Sequence, residues 1–171
     1  MDATHLHLIL NHVPVIGAPI GLLLLGWAVV RRNEEVGRAA MGVFIIAALV
    51  AIPVFLTGES AEHAIERLGV APESLVEQHE QAALFALIGT SALGLVALAA
   101  LIISLRGRHT LTHAAMGLAG LVALATAGVT AWTANLGGQI RHTEIRAHTP
   151  DGLPDGESSD RNSKYGGGDD D

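Results

Sequence analysis

Nine histidines stand in this chain of 171 residues, and their placement is the first chemical feature it offers. His5, His7 and His12 lie near the beginning, His63 and His79 in and after a polar link, His109 and His113 at another link. His142 and His148 follow the last apolar run. Imidazole is the commonest metal ligand, binds haem iron, and changes charge near neutral pH. Carboxylates accompany several of them: Glu59, Glu62 and Glu66 around His63, Glu77 and Glu80 around His79, and Glu144 beside His142. Cysteine is absent, which excludes disulfides, Cys-ligated iron–sulfur clusters and covalent c-type haem attachment. No nucleophile–base arrangement, phosphate-binding loop or intramembrane acid for ion transport is visible in the sequence. Cofactor binding or electron transfer is therefore favoured over catalysis.

The elements that must position these side chains follow from the apolar pattern. Half of the residues (50%) are apolar, 16% are charged, and the mean hydropathy is +0.42. The apolar residues fall in four blocks, 6–30, 39–57, 82–105 and 111–136, with no Asp, Glu, Lys or Arg inside any of them. About 20 residues of helix cross a hydrocarbon core of roughly 30 Å. A soluble bundle would carry polar stripes, whereas helices that satisfy their own backbone can be apolar all round in lipid. The pattern excludes a soluble enzyme and a nucleic-acid-binding module. It predicts an all-α polytopic membrane protein, a four-transmembrane-helix up-down bundle within residues 1–148, with helices at about 6–30, 39–57, 72–105 and 111–136. Thr57-Gly58 is expected to break the second helix. Ser60–Leu68 reads as a separate short amphipathic segment with Ala61, Ala64, Ile65 and Leu68 on one side. Pro72 and Glu73 suit the first turn of the third helix. Residues 149–171 hold seven acids against Arg161 and Lys164, most of the formal charge of −7, and read as a flexible acidic tail.

Both short links are rich in arginine: Arg31, Arg32 and Arg38 in one, Arg106 and Arg108 in the other. Cationic loops stay on the cytoplasmic side, so both links are expected inside and both termini outside. His5, His7, His12, His63, His79 and His142 then share the outer rim. For His5, His63 and His148 the ordinary reading is an interfacial polar residue, and the same holds for His109 and His113 at the inner end. Three others stand out. His12 lies within the first apolar region just before Pro14, and a ring at that depth is expected to find a partner inside the bundle. His79 heads a stripe of Ala82, Ala83, Ala86, Gly89 and Thr90, which could leave a flat slot or simply allow close helix packing. His142 continues a line from Asn135 and Gln139, provided the fourth helix runs through Gly137-Gly138. His7 and His12, five apart, point roughly 140° from each other on a regular helix, so they cannot share one ion.

The string His7-Leu-Ile-Leu-Asn-His12-Val-Pro14 resembles the opening of a family of small four-helix bacterial membrane proteins known as a domain of unknown function. Thr57-Gly58 after helix two, His79 at the start of helix three, and Gly137-Gly138 followed by His142 are similar too. Leu8 and Val13 depart from the family's usual Pro and Phe. The resemblance covers about residues 5–145 and implies a bacterial inner-membrane protein in redox surroundings, since some relatives are joined to c-type cytochrome domains.

Three readings of the rim follow. A b-type haem would take His12 and His79 as axial pair with His142 as the alternate, and Arg141 or Arg146 near its propionates; His7, a further cofactor-binding candidate, would serve a second site, cap something, or belong to an irregular start before Pro14. The 4% aromatic content is low for such a pocket. A bare Zn, Cu or Fe ion would draw on His12, His79, His142 and His63 with Glu59, Glu62 or Glu80. A structural subunit would use Gly17, Gly21, Gly117 and Gly120 to pack in a larger membrane complex or a homo-oligomer. Expected partners are membrane lipid and a c-type cytochrome or larger complex, not nucleic acid.

Overall fold

In the computed structural model, which describes residues 3–69 and 71–146, helices follow one another with only short turns and no strand occurs among those residues. They are α1 (Ala3–Leu10), α2 (His12–Arg31), α3 (Glu34–Leu68), α4 (Glu73–Leu105), α5 (His109–Arg141) and the single turn α6 (Thr143–Arg146). Four stretches are long and apolar enough to cross a membrane: His5–Arg31, Glu34–Ser60, Glu73–Leu105 and His109–Arg141. The protein is an all-α, four-transmembrane-helix bundle. The chain divides into two units, the bundle up to Arg141 and a second unit from His142 onward. The acidic tail at 149–171 lies outside the described residues.

The bundle is small-residue inside and large-residue outside. Ala18, Ala40, Ala82, Ala97, Ala100, Ala119 and Ala123 are fully buried, while Leu23, Val30, Leu56 and Leu121 are at least 70% exposed. That inversion suits lipid, where aliphatic surface has no reason to hide and helices associate by close backbone approach. Phe44 and Met41 are the largest fully buried side chains. The Phe44 ring fills the space that a Cβ at Gly21 would need, and Ala48 fills the space at Gly94, so α3 beds against α2 on one side and α4 on the other. Gly17 has Ala47 at 3.0 Å from its notional Cβ. The Gly17/Gly21 pair is thus used within the bundle, and of the α5 pair Gly120 meets Leu25 at 3.2 Å while Gly117 has open space.

Buried hydroxyls turn back on their own helices. Thr90 donates to Ala86 O (2.6 Å), Thr112 to Arg108 O (3.1 Å) and Thr130 to Thr126 O (3.0 Å), leaving no polar demand on the apolar surroundings.

Several boundaries differ from expectation. The first span is interrupted at Asn11, because Pro14 offers no N–H to Leu10 and its ring crowds that carbonyl. The second helix does not break at Thr57-Gly58 but runs on to Leu68, so the Ser60–Leu68 segment is its continuation. The Thr57 hydroxyl donates to Pro53 O (2.7 Å) and Val54 O (3.0 Å), and a helix of this length absorbs one glycine at about 1 kcal/mol. The side chains of Ala61, Ala64, Ile65 and Leu68 lie outside the described residues. The fourth helix runs through Gly137-Gly138 to Arg141.

At the arginine end, two turns are clasped together. Arg32 adopts a left-handed conformation (φ 52°), Asn33 N–H donates back to Ala28 O (2.9 Å), and the Asn33 side chain caps α3 through the N–H groups of Glu35 and Val36. Glu34 then meets His109 Nδ1 at 2.7 Å and Arg38 at 3.4 Å, and Arg38 Nε donates to the buried Ser104 hydroxyl at 2.8 Å. His109 therefore has a specific partner, which its spacing in the sequence did not disclose.

Candidate functional site

At the opposite end of the bundle, where α1, the far half of α3, the first turns of α4 and the last turns of α5 lie, two histidines turn inward. His7 is half-buried, and its Nδ1 lies 2.9 Å from Val54 O and 3.4 Å from the Thr57 hydroxyl, both on α3. His79 is half-buried on α4, with Nδ1 3.1 Å from Thr133 O on α5. A carbonyl oxygen only accepts, so Nδ1 carries a proton in each ring, and in the neutral tautomer this leaves Nε2 as the ligating nitrogen. One ring is thus held by α1 and α3, the other by α4 and α5.

A glycine makes room for the second ring. A Cβ at Gly137 would come within 3.1 Å of His79 Cε1, tighter than side chains tolerate without shifting, whereas Gly58 leaves 3.8 Å to His7 Cε1. The Gly-Gly after the fourth apolar run is therefore a helical seat for the His79 ring at Gly137, with open space at Gly138. One turn on from His7, the Asn11 side-chain oxygen is buried without a hydrogen-bond partner among the described residues. An unmet acceptor in such surroundings costs about 1–3 kcal/mol.

His12 is not part of this pair. It is exposed on the outside of α2, and its Nδ1 donates to Leu8 O of the preceding turn (3.0 Å). The expectation that His12 faces the interior is corrected here: of two rings about 140° apart only one can turn inward, and the first helix turns His7 in. The stripe below His79 follows the packing alternative. Ala82 and Thr90 are buried, and a Cβ at Gly89 would meet the Thr126 hydroxyl at 3.3 Å, so this face is laid against α5 rather than forming a flat slot.

Other candidates on the bundle are exposed side chains. His5 and Glu80 are exposed, and His63 pairs at 3.8 Å with Glu59 one turn earlier on α3, both exposed. Arg141 is exposed at the last residue of α5. His142 belongs to the second unit, where Nδ1 lies 2.8 Å from Glu144. The backbone N–H of Glu144 and then the His142 imidazole hold that carboxyl below its ordinary value. His148 lies outside the described residues. Among the described residues no three His, Asp or Glu side chains converge as a metal-binding group. No family model, curated protein or solved structure matches this chain.

Proposed function

We propose that the protein is a membrane-embedded b-type haem electron-transfer subunit, in which His7 and His79 would hold the haem iron. The observation that carries this reading is the matched pair of Nδ1–H···O=C bonds from two rings on different helix pairs. Such bonds fix the tautomer, hold the ring and raise the basicity of the free Nε2, as partners behind metal-bound histidines do. A two-imidazole donor set suits a cofactor that brings four equatorial nitrogens of its own. A bare Zn, Cu or Fe ion draws three or four ligands from the protein, and so fits the pair less well. The Asn11 oxygen, one turn on from His7, offers an acceptor for a donor on a bound group or its hydration. Arg141, at the same end of the bundle, is a candidate partner for the propionates.

When bound, the haem would supply a one-electron couple. The chain's own part is to hold two neutral imidazoles in register and to keep the surroundings apolar. In this reading the histidine end and both termini face outward from the bacterial inner membrane, because Arg31, Arg32, Arg38, Arg106 and Arg108 crowd the other end. A c-type cytochrome or a larger membrane complex would then exchange electrons at the acidic rim.

The test is titration of the purified protein with haemin, followed by visible absorption and metal analysis. Wild type and His12→Ala are expected to bind one haem with a six-coordinate spectrum. His7→Ala and His79→Ala are expected to give five-coordinate or no binding. Equal spectra for all four would overturn the assignment.

A further inference from the structure

The arginine end of the bundle carries a second, independent feature. Arg31 and Arg32 close α2, and Arg106 and Arg108 lie in the turn between α4 and α5; all four are exposed. The two turns are not separate. Glu34, two residues after Arg32, is 2.7 Å from His109, one residue after Arg108, and Arg38 Nε reaches Ser104, two residues before Arg106. The clasp therefore brings the two arginine-bearing turns to one surface. It also occupies the charges that would otherwise oppose them: the Glu34 carboxylate is shared between His109 and Arg38, and Glu35 is the one further acid among residues 31–38 and 104–113. His113 turns its Nδ1 to His109 O (2.7 Å).

The depth of this surface is marked by Trp27. Trp27 is 57% exposed on the outside of α2, and the Arg31 guanidinium lies over its ring, 5.4 Å from the ring centre. An outward-facing indole at a helix end sits at the headgroup level of a bilayer. A guanidinium stacked on it is held at the same level while its N–H groups remain available to phosphate oxygens, which arginine binds in pairs.

We propose that this end of the bundle is a binding surface for acidic phospholipid headgroups, with Arg31, Arg32, Arg106 and Arg108 as phosphate ligands and Trp27 as the interfacial anchor. Clustered cations beside membrane-spanning helices attract anionic lipid and lose that attraction beyond a Debye length. The partner is lipid rather than protein because the arginines stand at the ends of helices long and apolar enough to cross a membrane, with exposed aliphatic faces, and beside an outward-facing tryptophan. This surface is distinct from the histidine pair at the other end and stands without it.

The experiment is electron spin resonance on the full chain in phosphatidylcholine bilayers, comparing spin-labelled phosphatidylglycerol with spin-labelled phosphatidylcholine. The expected result is a motionally restricted phosphatidylglycerol fraction above that of phosphatidylcholine, a selectivity that falls as salt is raised. R31Q/R32Q/R106Q/R108Q is expected to bring the ratio to one, and Arg67→Gln at the other end to leave it unchanged. The salt series on wild type tests the claim without any variant. A ratio of one in wild type, a ratio indifferent to salt, or one retained in the quadruple variant would each overturn it. So would a ratio of one together with capture of an acidic peptide, which would give the patch to a protein.

Discussion

His7, His12, His79 and His113 all hold a backbone carbonyl through Nδ1, but His12 and His113 reach back along their own chain segment whereas His7 and His79 reach a neighbouring helix. That difference separates a ring fixed between two elements from one lying on a helix surface. The spacing of five between His7 and His12 already required the two to diverge. Nothing local says which of them turns inward, because both sit among Leu, Ile and Val; packing of α1 on α3 decides it. Gly137 was visible as half of a Gly-Gly pair but reads locally as a helix end, and its use as a seat for His79 depends on α4, an element distant in the chain. Two outcomes belong to this scale. Gly137→Ala is expected to displace the His79 ring and weaken haem binding by about 10- to 100-fold, the range for changes behind a ligand, while Gly138→Ala leaves it unchanged; haemin titration measures both. Asn11→Leu removes an unmet acceptor and is expected to stabilise the haem-free protein by about 1–3 kcal/mol, read as a shift in reversible unfolding. Unchanged or lower stability would show that Asn11 is already satisfied.

The helices themselves were legible because lipid demands long uncharged runs: α1 and α2 together, α3, α4 and α5 contain the four blocks that announced them. Their ends were less legible. Thr57-Gly58 looks like a stop signal by composition, yet the Thr57 hydroxyl supports the carbonyls of Pro53 and Val54 and the helix carries on. Conversely, the interruption at Asn11 falls three residues ahead of the proline that causes it. Packing between elements follows glycine and alanine more than any aliphatic pattern, which is why the stripe under His79 could not be told from a slot until α5 was seen against it. Gly21→Val is expected to cost about 1–3 kcal/mol by forcing the Phe44 ring out of its bed between α2 and α3. Gly42→Ala, with open space around it, is expected to be neutral or stabilising by up to about 1 kcal/mol. Unfolding of both variants in detergent against wild type checks the pair, and equal losses would contradict the packing assigned to Gly21.

Across the whole molecule, charge is divided along the bundle axis: arginines with few acids at one end, glutamates and the histidine pair at the other. The division predicts sidedness, with the 31–38 and 104–113 turns facing the cytoplasm. A cysteine at Arg108 should resist an impermeant thiol reagent applied from outside, and one at Glu73 should react; the reverse labelling would place the histidine pair on the cytoplasmic side. The same polarity would let a redox partner approach one face while lipid phosphate holds the other. The central claim is that His7 and His79 hold one iron between them, and low-temperature electron paramagnetic resonance of the oxidised, haem-loaded protein reads that ligation. A low-spin ferric signal of two neutral imidazoles is expected in wild type, converted to high-spin or lost in His79→Ala and in His7→Ala and kept in His12→Ala. A high-spin signal in wild type, or a low-spin signal that survives loss of either His7 or His79, would contradict it.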